Sequence, residues 1–104
     1  MTDKSIEVYH DIAAIPGEEA PLEFRNAAMA LIEAALEEAG AGEWEGAEIG
    51  AGEVNIGFEV EDFDVAEGIV RAAVAGTRLA GIARIERREM TEADYLAMVS
   101  ASGG

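Results

Sequence analysis

Near the N-terminus Ile6, Val8, His10 and Ile12 alternate with Ser5, Glu7, Tyr9 and Asp11. A period of two is what a strand buried on one face requires, so Ser5–Ile12 is expected to form a first strand. Pro16-Gly17 breaks it. From Pro21 the period changes. Phe24, Ala28, Leu31, Ile32, Ala35, Leu36 and Ala39 fall on one stripe of a helix. Proline suits the first turn, where its missing N–H has no intrahelical acceptor, and Gly40-Ala41-Gly42 ends the run. Two strand-like segments, Trp44–Ile49 and Glu53–Glu61, flank Gly50-Ala51-Gly52, where glycine permits the positive φ of a tight hairpin. In the second, Val54, Ile56, Phe58 and Val60 point one way, and Glu53, Asn55, Gly57, Glu59 and Glu61 the other.

Asp64 and Glu67 have capping-box spacing for a helix over Val65–Ala75, with Ile69, Val70, Ala73 and Val74 as its buried stripe and Gly76 as its C-cap. Arg78–Arg88 reads as a last strand whose weak alternation does not decide which face is buried. Thr91 and Asp94 offer a further capping box for a short terminal helix carrying Tyr95, Met98 and Val99. The resulting order, β-α-β-β-α-β, predicts an α+β fold of the ferredoxin-like split β-α-β type, with both helices on one face of a four-stranded antiparallel sheet. A chain of 104 residues is one domain's worth, here residues 1–99 followed by a disordered tail, 100–104.

Charge narrows the partners. The formal net charge is -15, from 7 Lys+Arg and 22 Asp+Glu, which disfavours nucleic acid and anionic membranes. The field is uneven: residues 1–67 hold 18 acids and 2 bases, residues 68–104 hold 4 acids and 5 bases. Cysteine is absent, which excludes disulfides, thiol catalysis and thiolate metal sites. No apolar run approaches a membrane span and no signal segment is recognisable, so a cytoplasmic location is expected.

If the helices cover Val54, Ile56, Phe58 and Val60, the opposite face is open. A short hairpin pairing Ile49 with Val54 would place Trp44, Gly46 and Glu48 there beside Asn55, Gly57 and Glu59, with Glu7, Tyr9 and Asp11 from the first strand. Two aromatics among glycines suggest a surface against which a second copy, a protein partner or a flat ligand packs. A one-residue slip would turn Trp44 inward. Tyr9, Trp44, Glu48, Asn55 and Glu59 are therefore the candidate binding residues.

Catalytic signals are sparse. His10 shares the parity of Ile6 and Val8 and points away from Asp11, so a histidine bonded to backbone is the simpler reading than a general base. The run from Glu59 to Asp64 lacks the calcium-loop pattern and reads as a strand end leading into a helix cap. Gly50-Ala51-Gly52 joins two strands and so is no phosphate loop, and the serines lie at the chain ends. No metal, cofactor or catalytic residue is expected.

The stretch Glu43–Ala66, EWEGAEIGAGEVNIGFEVEDFDVA, together with the preceding EEAG, resembles a motif of small, uncharacterised acidic bacterial proteins. That resemblance implies a ferredoxin-like fold and no activity. The strand order also resembles that of ACT-type regulatory domains, which pair with one another and bind amino acids; their glycine turn would correspond to Pro16-Gly17. These readings converge on a non-catalytic interaction module, homodimeric, whose acidic residues could engage a basic protein as immunity-type inhibitors do. The alternative is a small dimeric α+β-barrel enzyme or ligand-binding protein with a pocket lined by Tyr9, Trp44, Asn55 and Arg84.

Overall fold

The computed structural model describes residues 2–15, 17 and 19–91. Its elements are β1 (Thr2–Asp11), a short 3-10 turn (Ile12–Ala14), α1 (Pro21–Glu38), β2 (Gly42–Gly50), β3 (Glu53–Val60), α2 (Phe63–Val74) and β4 (Arg84–Thr91). The strands form one antiparallel sheet in the order β2-β3-β1-β4. The fold is thus α+β, with two helices on a four-stranded antiparallel sheet.

The two central strands set the core. Ile6 pairs with Phe58, Val8 with Ile56 and His10 with Val54, and residues paired across strands share a face. Onto that face α1 packs Phe24, Ala28, Ile32 and Leu36, while α2 packs Ala66, Val70 and Val74. The β2–β3 hairpin turns on Ala51 and Gly52, with φ of 52° and 78°. Positive φ at both residues gives a turn whose twist matches the flanking strands. At the other end of β2, a Cβ on Gly42 would stand 2.6 Å from the Glu59 carbonyl oxygen, so glycine lets α1 run directly into the sheet.

Two expectations need correction. The N-cap of α2 is Asp62, whose carboxylate accepts from the Val65 N–H at 3.0 Å, and the helix begins at Phe63. Asp64 lies inside the first turn, where its charge still favours the helix dipole. The last strand begins at Arg84, not Arg78, because the preceding segment is tied into a turn. The Thr77 hydroxyl donates to the Val74 carbonyl at 2.6 Å and accepts from the Leu79 N–H at 3.0 Å, burying Leu79 against the core. Strand pairing starts only where the Ala83 N–H donates to the Tyr9 carbonyl at 2.8 Å. The expected terminal helix over 91–99 and the tail at 100–104 fall outside the described residues, apart from Thr91, which ends β4.

Candidate functional site

With the helices on one side, alternate residues of all four strands form an open face. β1 supplies Ser5, Glu7 and Tyr9; β3 supplies Asn55, Gly57 and Glu59; β2 supplies Gly46 and Glu48; β4 supplies Arg84, Glu86 and Arg88. Across it runs a solvent-open trough of about 1090 Å³, lined by Glu7, Tyr9, Glu45, Gly46, Glu48, Asn55, Gly57, Glu59 and Arg88 among others. Gly46 and Gly57 are paired and leave a strip of bare backbone on its floor.

Tyr9, Glu48, Asn55 and Glu59 are therefore brought together as the alternation suggests. Trp44 is not. The β2–β3 register slips between Trp44 and Gly46, a bulge that pairs Trp44 with Phe58 and so puts it on the helix-covered side. There it stays 44% exposed, because β2 is an edge strand. Its place beside the trough is taken by Glu45.

Nor is Tyr9 a free aromatic surface. It is only 9% exposed, since the Arg84 guanidinium lies 3.9 Å above its ring. Arg84 is held in turn by Glu53, through both guanidinium Nη atoms, and by Glu86 at 3.1 Å. That hydrogen bonding keeps the Glu53 carboxyl below its ordinary value. The Tyr9 hydroxyl donates to Glu7 Oε2 at 2.5 Å. Its pKa is pushed up to about 12, first by that bond to Glu7, then by burial and by the charges of Glu7 and Glu86. The same Glu7 oxygen accepts from Asn55 Nδ2 at 3.3 Å and lies 3.1 Å from Arg88 Nη2. One carboxylate thus gathers a phenol, an amide and a guanidinium. Glu45, Glu48 and Glu59, by contrast, have no ion-pair partner among the described residues.

Tyr9 keeps its proton through the physiological range. His10 does not reach the trough. It faces the core at 2% exposure, meets Phe24 edge-on with centroids 4.9 Å apart, and its Nε2 pairs with the Leu79 carbonyl at 2.9 Å. That contact requires the proton on Nε2, and the buried Nδ1 has no partner among the described residues. Burial lowers the His10 pKa. Among the described residues no group of three His, Asp or Glu side chains is placed to hold a metal ion.

Sequence reasoning placed Glu7 on this face but missed its role as the hub, and it missed Arg88 and Glu45. Arg88 was obscured because β4 carries Arg87 and Glu89 on its inner side, which erases the hydropathy alternation; Arg87 there pairs with Asp64 and Glu67 of α2. No family model, no curated protein and no solved structure matches this chain. No helix among the described residues is long and apolar enough to cross a membrane.

Proposed function

We propose that this protein is a non-catalytic binding module, built on a ferredoxin-like framework, whose open sheet face docks a basic protein partner. The observation that carries the reading is the state of the charges on the open face: Glu45, Glu48 and Glu59 have no ion-pair partner among the described residues, while Arg84 and Arg88 are already neutralised by Glu53, Glu86 and Glu7. Lys4 and Arg87, which also line the trough, belong by their pairing to the inner face, where Lys4 lies over Phe63 and Arg87 pairs with Asp64 and Glu67. A face of this kind accelerates encounter with a positive surface and rejects negative ones. An immunity-type inhibitor of a basic toxin is one concrete form.

The homodimer expected as part of this reading gains no support from the open face, and neither does the alternative of a pocketed ligand-binding protein. Opposing the open faces of two copies would set Glu45, Glu48 and Glu59 of each against an equally acidic surface, so a homodimer gains nothing there. A ligand pocket walled by exposed aromatics lacks its walls, since Trp44 lies on the other side of β2 and Tyr9 is covered by Arg84.

The test is retention of a partner from cell lysate by the immobilised protein at low and high salt. Retention that is lost at high salt, lost with Glu48→Lys and Glu59→Lys, and kept with Glu37→Lys and Glu38→Lys on α1 supports the reading. Retention indifferent to salt and to the trough substitutions rejects it.

A further inference from the structure

The trough already holds a guanidinium, and how it does so narrows the partner. Glu7 is the deepest carboxylate of the face, its side chain 19% exposed, and the Tyr9 hydroxyl and Asn55 amide fix its Oε2 within the sheet. A carboxylate oriented by two donors has already lost its rotational freedom, so an incoming cation pays less to be held there. Its charged partner, Arg88, is 63% exposed and stands on the edge strand β4. Exposed pairs of this kind are worth at most about 1 kcal/mol, so Arg88 is displaceable.

We infer that the open face docks an extended, arginine-bearing segment of its partner, with one guanidinium replacing Arg88 on Glu7 and the neighbouring cationic residues meeting Glu45, Glu48 and Glu59. This rests on the basic-partner reading and adds to it the identity of the recognised group. Charge complementarity selects a cation, since three carboxylates without an ion-pair partner among the described residues flank the bare Gly46–Gly57 strip along which a chain can lie flat. The surroundings select arginine over lysine. A planar guanidinium can donate to Glu7 through two N–H groups, whereas a lysine ammonium is a strongly hydrated point charge.

The experiment compares hexa-arginine and hexa-lysine peptides, equal in charge, by titration calorimetry on the full chain at low salt. Hexa-arginine is expected to bind about tenfold more tightly, the difference one charge-assisted bidentate contact supplies. Arg88→Ala, which removes the internal competitor at an exposed position, should tighten hexa-arginine severalfold and leave hexa-lysine little changed. Glu7→Gln should abolish the preference, with the melting temperature reporting that the fold is intact. Equal binding of the two peptides, with Arg88→Ala without selective effect, overturns the guanidinium inference and leaves the acidic docking face standing. Failure of both peptides to bind at low salt overturns both, as does a second copy of the chain occupying the face in sedimentation and losing it on Glu48→Lys.

Discussion

His10 should make the stability of this protein fall between neutral and mildly acidic pH. The imidazole is 2% exposed, gives its Nε2 proton to the Leu79 carbonyl, and has Phe24 against its edge. Among the described residues no carboxylate bonds to it or compensates a second proton on Nδ1, and burial depresses its pKa below the ordinary 6.5. The unfolded chain therefore binds a proton more readily than the folded one. Between the unfolded and folded pKa values stability must decrease as pH falls, with a limiting slope of about 1.4 kcal/mol per pH unit; below the folded value the loss is complete and the slope vanishes. Above the unfolded value the contribution is fully present. Glu19 and Glu53, whose pKa values are lowered from 4.5 by Arg78 and Arg84, lose their contributions only under more acidic conditions than the window just below 6.5 in which His10 acts. The perturbation is His10→Gln, which keeps an N–H donor for Leu79 but cannot titrate. It should cost on the order of 1 kcal/mol at about pH 8, from the lost ring packing. The assay is urea unfolding followed by circular dichroism from about pH 8 to about pH 5, the range over which an ordinary histidine titrates. The gap between the two proteins should close as pH falls. Parallel curves across that range would refute the reasoning.

Three further outcomes follow from the geometry. Subtracting the alkaline absorbance titration of Tyr9→Phe isolates Tyr9, whose midpoint should lie at about 12 and move toward 10.0 in Glu7→Gln, because the hydrogen bond to Glu7 is the largest cause of the shift. An unmoved midpoint would assign the shift to burial. Gly42→Ala should destabilise by about 1–3 kcal/mol, since its Cβ meets a backbone carbonyl that cannot rotate away, whereas a Cβ on Gly46 meets nothing within 4 Å and Gly46→Ala should cost little; denaturant midpoints read both. Asp62→Ala should cost about 1 kcal/mol by removing the α2 cap, and a larger loss from Asp64→Ala would return the capping role to Asp64.

What was legible in the chain is what burial enforces. β1 and β3 are central strands with one face packed on helices, so Ile6, Val8, Val54, Ile56 and Phe58 had to alternate with polar residues, and the parity of Tyr9 and Asn55 came with them. The hairpin carried its own register as far as Gly46, because the turn at Ala51-Gly52 fixes the pairing of Ile49 with Val54 and of Glu48 with Asn55. Beyond that point the turn no longer fixes the pairing, and because β2 is an edge of the sheet among the described residues an extra residue costs little there; nothing in Glu43-Trp44-Glu45-Gly46 announces the bulge. β4 was unreadable for a related reason: as the other edge it meets polar partners on α2, so Arg87 occupies an inner position that a central strand would fill with an apolar residue. Both failures alter the functional reading in the same direction. The bulge removes Trp44 from the open face and puts Glu45 beside the trough, and β4 covers Tyr9 with Arg84, so a surface expected to offer bare aromatic rings offers carboxylates in their place.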